Sequence, residues 1–229
     1  QLLSEEEKQI CKSLMNMEEI PAIEPPDIND NTPRDYQVDG FRWIQFLYDH
    51  QFGACLADDM GLGKTPTTLA HLVGHVGDRP SLVMCPLSVV HNWEAEAAKF
   101  APGLRVLIAH GASRKRGDAF AEQLDEADLV ISTYGTVSRD IEAMAEHRWN
   151  IVVCDEAQAI KNHRTKAARA VRALDARQLV ALTGTPVENR LTELWSILDA
   201  ANPGSLGGIG WFRDTFATPI ETRGDDKAL

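Results

Sequence analysis

The residues whose types and spacing best suit chemistry lie between positions 58 and 65. They follow a short apolar run, residues 54–57, and comprise Asp58, Asp59, Met60, Gly61, Leu62, Gly63, Lys64 and Thr65. A strand, a glycine-bearing loop and a helix start present backbone N–H groups to phosphate oxygens, and the helix dipole adds to the attraction. Lys64 is expected to reach the β- and γ-phosphates, and the Thr65 hydroxyl to ligate Mg²⁺. The spacing predicts a nucleotide-binding phosphate loop, with a chance turn as the alternative.

Two carboxylates follow a second apolar run. Asp155 and Glu156 come directly after residues 151–154, and Gln158 lies two positions further on. In an open parallel sheet, ligands gather at the carboxyl ends of the strands, so both carboxylates are expected near Lys64. Asp155 would hold Mg²⁺ through its water shell, while Glu156 would orient and deprotonate the attacking water. A solvated loop or a helix cap is the alternative for this pair when it is taken alone.

A third group of polar residues follows the run 179–182. Thr183, Gly184 and Thr185 would sense the state of the γ-phosphate through Glu156 or Gln158. As an isolated tripeptide, this group is a turn, and its weight comes from its position after a predicted strand.

Alternating apolar and amphipathic segments would position these residues. Strands are predicted at 53–57, 82–85, 106–109, 129–132, 151–154 and 179–182. Helices are predicted at 36–50, 65–76, 89–100, 114–124, 133–145, 165–174 and 188–198. Apolar strands without polar alternation indicate a sheet covered on both faces, and βαβ alternation indicates parallel strands. The expected fold class is α/β: a RecA-like P-loop domain with a parallel sheet of about six or seven strands.

Composition excludes several classes of protein. The 229 residues are 44% hydrophobic and 25% charged, which is typical of globular domains and not of disordered or fibrous chains. No apolar run has the length of a membrane span, and a basic-then-apolar leader is not present at the start, so no membrane partner is expected. The net charge is −11, but residues 1–30 hold eight acids against two lysines. The overall charge therefore leaves room for a local basic surface elsewhere.

The motifs resemble those of the Swi/Snf-type helicase-like ATPases of superfamily two, from about Pro33 to the carboxyl end. Asp58 stands where the general Walker A pattern has glycine, and this family places aspartate there. The resemblance extends over Asp155-Glu156-Ala157-Gln158 and over Leu182-Thr183-Gly184-Thr185-Pro186. It implies ATP and Mg²⁺ as cofactors, and duplex DNA and protein–DNA complexes as partners. Pro66 departs from the usual aliphatic residue, which puts only the fine positioning of the nucleotide in doubt.

The resemblance also implies further contact residues. Arg34, Tyr36 and Gln37 are similar to the family's adenine-binding element, although Tyr36 would serve equally well as a core residue. Ser88, Asn92, Thr133 and Arg114 are the candidates for contact with the DNA backbone. Asn92 could instead cap a helix beginning near Trp93. For the basic face formed by Lys166, Arg169 and Arg172, a solvated helix surface is favoured.

Family members hydrolyse ATP between two RecA-like lobes, and the motifs here are those of the first. The expected organisation is an acidic helical extension and proline-rich linker over residues 1–30, then the first lobe over 31–229, with the second lobe absent. Such a lobe, favoured as a monomer, would bind ATP weakly, hydrolyse it slowly and bind DNA poorly alone. It would act in the cytoplasm at the nucleoid of a bacterium, or in the nucleus of a eukaryote. A nucleotide-gated interaction module and a strand-separating RNA or DNA helicase lobe stay open as alternatives.

Overall fold

The computed structural model describes residues 20–28, 33–59, 61–111, 114–115 and 117–223. The helix predicted near the amino terminus and Met60 of the predicted phosphate loop fall outside these ranges. Within them, no helix has both the length and the apolar character that a membrane crossing requires.

Six strands of the described chain form one parallel sheet, in the order β1-β6-β5-β2-β4-β3. Their bounds are β1 (Ala54–Leu56), β2 (Ser81–Cys85), β3 (Val106–Ile108), β4 (Leu129–Thr133), β5 (Arg148–Cys154) and β6 (Asp175–Leu182). Each predicted apolar run forms a strand, and the predicted α/β fold class with a parallel sheet is confirmed.

Helices cover both faces of the sheet. They are α1 (Asp35–Asp49), α2 (Lys64–Gly74), α3 (Val90–Phe100), α4 (Asp118–Asp125), α5 (Tyr134–Arg139), α6 (Ile141–Ala145), α7 (Lys166–Ala173), α8 (Leu191–Ala201), α9 (Ile209–Phe212) and α10 (Thr218–Arg223). Short 3₁₀ turns at Leu87–Val89 and Ala157–Ile160 follow β2 and β5, and a π-helical turn at Arg213–Ala217 joins α9 to α10. Buried residues of α1, α2 and α3 pack on one face, and those of α4 to α8 pack on the other.

Several element boundaries differ from the predictions. The helix predicted at 133–145 is two helices, α5 and α6, because the chain leaves helical geometry at Asp140, with φ −105° and ψ 24°. The helix predicted from residue 114 begins at Asp118. Strands β5 and β6 extend beyond their apolar runs, since the ladder pairs Arg148 with Asp175 and their charged groups approach to 3.6 Å. Backbone pairing and opposite charges continue a strand where apolar side chains stop.

A clasp joins the start of β1 to the end of α8. The backbone N–H of Gly53 donates to Asn202 Oδ1 at 2.8 Å, and Asn202 Nδ2 donates to the Gly53 carbonyl oxygen at 3.0 Å. A Cβ on Gly53 would lie 2.3 Å from the carbonyl oxygen of Ala201, so only glycine allows this approach. The clasp fixes the edge strand that precedes residues 58–65.

Gln178 of β6 and His71 of α2 form a buried polar cluster between the sheet and the helices. Gln178 Nε2 donates to the carbonyl oxygens of Ile44 and Phe52, at 3.1 Å each, so its Oε1 must accept. His71 Nε2 lies 2.8 Å from that oxygen and is therefore the protonated ring nitrogen. Its Nδ1 has no partner among the described residues. Burial lowers the pKa of His71 to about 3, against a smaller opposing effect of the Gln178 hydrogen bond.

This histidine gives the fold a pH dependence. Between about pH 6.5 and pH 3, His71 is protonated in the unfolded chain and neutral in the folded chain. The free energy of unfolding therefore decreases as the pH falls through that range. The slope approaches about 1.4 kcal/mol per pH unit. We expect urea unfolding midpoints to decrease between pH 7.5 and pH 5.

His71→Gln is the matched variant, because an amide can still donate to Gln178 but does not titrate. Its midpoint should depend on pH less steeply than that of the parent chain. Equal slopes in the two proteins would show that His71 is not the source.

Candidate nucleotide-binding site

Three predicted motifs meet at the carboxyl ends of β1, β6 and β5, which are neighbours in the sheet. The backbone N–H of Thr183, after β6, donates to the carbonyl oxygen of Leu56 in β1 at 3.1 Å. The Thr183 hydroxyl lies 3.4 Å from Oε1 of Gln158, which follows β5. Motifs separated widely along the chain thus form one continuous edge, as the parallel-sheet prediction requires.

The phosphate loop has the geometry of an anion cradle. Gly61 and Gly63 adopt left-handed conformations, with φ values of 83° and 78° that glycine tolerates without strain. Lys64 begins α2, and its Nζ donates to the carbonyl oxygens of Asp58, at 2.7 Å, and Asp59, at 3.0 Å. The ammonium group is therefore held back over the loop, where an anion between the loop and the helix start would meet it.

Gln37 ties α1 to this loop. Its Nε2 donates to the carbonyl oxygens of Leu62, at 3.2 Å, and Gly63, at 3.4 Å, while its Oε1 accepts from the backbone N–H of Arg34 at 2.9 Å. A Cβ on Gly63 would lie 2.2 Å from Nε2, which makes glycine necessary for the contact. Tyr36 is exposed, so its alternative interpretation as a core residue is wrong.

A cavity of about 290 Å³ opens beside Gln37. Pro66 lies on its wall, so the residue that departs from the family pattern borders the space next to the phosphate loop. The other walls come from α1, α2 and the segment before α1: Glu24, Pro25, Pro26, Asp27, Ile28, Pro33, Phe41, Thr67 and Ala70.

Asp155, directly after β5, is hydrogen-bonded through both its carboxylate and its backbone. Its Oδ2 accepts from the indole N–H of Trp93 at 2.7 Å, and its Oδ1 accepts from the backbone N–H of Glu156 at 3.0 Å. The Asp155 backbone donates to the Met84 carbonyl oxygen and accepts from the Tyr134 hydroxyl, each at 2.8 Å. Burial raises the pKa of Asp155, and the Trp93 hydrogen bond is the largest opposing effect.

Glu156 is turned away from the direction of β5 by its backbone. It adopts a left-handed conformation, with φ 50° and ψ 59°, which is uncommon for a residue with a side chain. Gln158 Nε2 donates to Glu156 Oε2 at 2.6 Å. A carboxylate aimed by strained backbone and by an amide donor is typical of a functional group rather than of a solvated loop.

Thr65 and Asp155 offer oxygen ligands of the kind that Mg²⁺ prefers. Mg²⁺ commonly binds through one or two protein oxygens together with water and substrate phosphates, instead of an all-protein cage. In the described ranges, no group of three His, Cys, Asp or Glu side chains could hold a metal ion. One hydroxyl and one carboxylate are a donor set that would fit a magnesium ion bound together with a nucleotide.

The loop after Thr183 is fastened to the segment after β5. Thr183 Oγ1 accepts from the backbone N–H of Thr185 at 3.1 Å, and Gly184 lies between them. Lys161 forms an ion pair with Glu188 and lies 3.6 Å from Glu193. The Lys161 contacts thus connect the chain just after Gln158 to the chain just after the predicted γ-phosphate sensor.

The predicted DNA contacts divide into two pairs. Ser88 and Asn92 are exposed on the 3₁₀ turn and on α3. The prediction that Asn92 caps the helix is wrong, because α3 begins at Val90 and the Asn92 amide donates to Glu96 at 3.1 Å. Both side chains are open to a partner on this surface.

Thr133 and Arg114 are committed inside the fold. Thr133 is buried, and its hydroxyl caps α5 by accepting from the backbone N–H of Thr136 at 3.2 Å. The Arg114 side chain is only 5% exposed and forms an ion pair with Asp140 at 2.6 Å. Both groups are therefore engaged within the fold in this structure, and their assignment as DNA contacts stays a prediction.

On the basic face of α7, only part of the charge is open. Arg172 pairs with Asp199 at 3.2 Å and donates to the Ser196 carbonyl oxygen at 2.8 Å. Lys166 and Arg169 remain exposed, in agreement with a solvated surface.

Trp93 and Tyr134 were not predicted as functional residues. Trp93 matched an ordinary buried position of an amphipathic helix, and its contact with Asp155 joins residues 62 positions apart. The two residues meet because β2, which leads into α3 and Trp93, is the neighbour of β5, which ends just before Asp155. That order is not visible in the sequence.

The chain matches the family described as SNF2-related domain over residues 36–229. It is 42% identical to a Bacillus subtilis protein named "Putative ATP-dependent helicase/translocase YwqA", over 99% of this chain and 25% of that protein. It is 33% identical to the TATA-binding protein-associated factor MOT1 of Saccharomyces cerevisiae, over 97% of this chain and 13% of that protein. The chain thus spans a quarter or less of these relatives.

Solved structures agree with the sequence match. The SWI2/SNF2 ATPase core of Sulfolobus solfataricus, solved in complex with dsDNA, superposes with a TM-score of 0.80 at 44% identity. The alignment covers 91% of this chain and 43% of that one. A second structure of the Sulfolobus solfataricus SWI2/SNF2 ATPase core domain gives the same TM-score and identity. With the phosphate loop, the Asp155–Gln158 segment and the Thr183 loop on adjacent strands, this chain belongs to the SNF2-related domain family.

Proposed function

We propose that the chain is the ATP-binding first lobe of a two-lobed ATPase that moves on double-stranded DNA and remodels protein–DNA complexes. The observation that carries the proposal is that the phosphate loop with Lys64, the Glu156 segment and the Thr183 loop follow three neighbouring strands, β1, β5 and β6. Family membership and the names of the relatives, which include ATP-dependent helicases, support ATP as the nucleotide.

In this proposal the phosphate loop and Lys64 hold the β- and γ-phosphates. Lys64 exchanges its two carbonyl partners for phosphate oxygens, which gives its ammonium a charge-assisted contact. The adenine enters the cavity beside Gln37, and we assign Arg34 and Tyr36, which neighbour Gln37 at the start of α1, to its contact. The Gln37 amide, which both donates and accepts, reads the adenine edge.

Glu156 serves as the general base for hydrolysis. Its carboxylate orients a water molecule and takes the proton as that water attacks the γ-phosphorus. The hydrogen bond from Gln158 fixes one carboxylate oxygen and leaves the other for the water. Mg²⁺, held by Thr65 and by Asp155 through water, would neutralise charge on the β- and γ-phosphates.

Thr183 and Gln158 would report the state of the nucleotide. Their contact joins the Thr183–Thr185 loop to the residue that holds Glu156. Loss of the γ-phosphate would alter the hydrogen bond between Gln158 and Glu156. Because Gln158 also contacts Thr183, this change would be transmitted to the Thr183–Thr185 loop. Lys161 and Glu188 extend that connection toward α8.

Duplex DNA as the partner is supported by the Sulfolobus core, which was solved in complex with dsDNA. Ser88 and Asn92 are the exposed side chains that we place against the phosphate backbone, where such contacts position a protein without reading sequence. With net charge −11, the chain should bind DNA weakly without its second lobe.

The test is a turnover assay on the 229-residue chain and on the two-lobed protein, with duplex DNA, single-stranded DNA and RNA of equal length. We expect slow hydrolysis by the chain alone, because an arginine finger from elsewhere typically contributes about 10³-fold or more. In the two-lobed protein, duplex DNA should stimulate turnover most.

Other outcomes separate the alternatives. Preferential stimulation by RNA or single strands would favour a strand-separating helicase. ATP binding without turnover in the two-lobed protein would favour a nucleotide-gated interaction module. Strong DNA-stimulated hydrolysis by the 229 residues alone would contradict the need for a second lobe.

A further inference from the structure

The Asp155 carboxylate is oriented by two donors, one on each oxygen. Trp93 Nε1 reaches Oδ2 at 2.7 Å, and the Glu156 backbone N–H reaches Oδ1 at 3.0 Å. A carboxylate has about four lone-pair directions, so two remain for other ligands. The Trp93 contact is the shorter of the two and comes from a separate helix, α3.

The indole itself cannot move. Trp93 is 1% exposed and belongs to the core that α1, α2 and α3 form against the sheet. A buried aromatic ring in a close-packed core keeps one orientation, and its N–H therefore points in one direction. The fixed indole N–H of Trp93 therefore sets the orientation of the Asp155 carboxylate.

The main chain of Asp155 is fixed by a second aromatic residue. The Tyr134 hydroxyl at the start of α5 donates to the Asp155 carbonyl oxygen at 2.8 Å. Tyr134 is buried on the opposite face of the sheet from Trp93. Asp155 thus lies between two aromatic donors, one anchored in each core layer.

We propose that Trp93 and Tyr134 are positioning residues that hold Asp155 in the orientation needed to bind the nucleotide's Mg²⁺. This inference rests on the proposed function. It assigns to both aromatic residues a role in metal affinity and not in the contact with ATP itself, because neither of their hydrogen bonds joins the phosphate loop.

The experiment measures binding of N-methylanthraniloyl-ATP to the 229-residue chain, first in EDTA and then during a Mg²⁺ titration. For Trp93→Phe, which keeps an aromatic ring and removes the donor, affinity in EDTA should stay within about twofold of the parent value. The Mg²⁺ concentration for half-saturation should rise about tenfold, the effect of losing a hydrogen bond to a charged group. Tyr134→Phe should shift it in the same direction by less, because the Asp155 carbonyl oxygen is uncharged.

Trp149→Phe is the matched control. Trp149 is also fully buried and donates its indole N–H to a carbonyl oxygen, that of Met144, at 3.0 Å. It should lose stability on urea unfolding without any change in the Mg²⁺ titration.

The proposal is overturned if Trp93→Phe lowers stability as the control does but leaves Mg²⁺ half-saturation at the parent value. Should Trp93→Phe fail to fold, an unchanged titration for Tyr134→Phe overturns it equally. If the parent chain itself binds the nucleotide without any Mg²⁺ dependence, the proposed function fails, and that outcome is distinct from a failure of the two variants alone.

Discussion

Replacing Glu156 with glutamine is expected to abolish ATP hydrolysis by the two-lobed protein while leaving ATP binding intact. Glutamine has the shape of glutamate and can accept the hydrogen bond that Gln158 donates at 2.6 Å, so the loop keeps its conformation. It cannot take a proton from water, and loss of a general base lowers rates by about 10² to 10⁴. Steady-state turnover should fall at least about 100-fold, and nucleotide affinity should stay within about twofold.

Glu122→Gln makes the same chemical change on the exposed surface of α4 and should preserve turnover. Retained hydrolysis in Glu156→Gln would remove Glu156 as the base. Loss of nucleotide binding in that variant would instead show that Glu156 holds the loop and not the water.

Gly53→Ala is expected to produce the largest loss of stability. The new Cβ would lie 2.3 Å from the Ala201 carbonyl oxygen and 2.7 Å from its carbonyl carbon, and backbone atoms cannot rotate aside. Relief of the contact requires α8 to separate from β1, which breaks both Asn202 hydrogen bonds. Overpacking of this kind costs about 3 kcal/mol. The measurement is the free energy of unfolding from urea titration.

Gly74→Ala is the control for this variant. Gly74 ends α2, and the nearest atom to a new Cβ is Pro26 Cγ at 3.8 Å, an ordinary contact. Alanine favours helix over glycine by about 1 kcal/mol, so this variant should be as stable as the parent or more stable. A free energy of unfolding for Gly53→Ala within about 0.5 kcal/mol of the parent would contradict the clash.

The strands were predictable because each is an apolar run, and a helix-covered parallel sheet requires exactly that pattern of side chains. Their order was not, since β1 pairs with β6 through residues such as Ala54 and Val180, far apart in the chain. The break at Asp140 also escaped prediction. Asp140 pairs with Arg114, a contact between two segments that the tertiary fold brings together and that the helical pattern of residues 133–145 does not reveal.

Site residues were predictable where a motif carries its own geometry. The phosphate loop is local: Gly61 and Gly63 supply the left-handed turns, and Lys64 follows directly. The DNA contacts depended on which side chains stay exposed, and exposure follows from packing. Arg114 and Thr133 therefore had the right chemistry for phosphate contact but are used inside the fold.

The position of β1 at the edge of the sheet also bears on how the protein is made. Its strand neighbour is β6, the last strand of the described chain, and the clasp at Gly53 waits for α8, which follows β6. During synthesis the phosphate loop therefore emerges before β6 and α8, and it gains its support only after those two elements have left the ribosome. Contacts between such distant segments form slowly. The nucleotide site is complete only after β6 has paired with β1. A chain halted before β6 therefore contains the phosphate loop but lacks the strand that supports it.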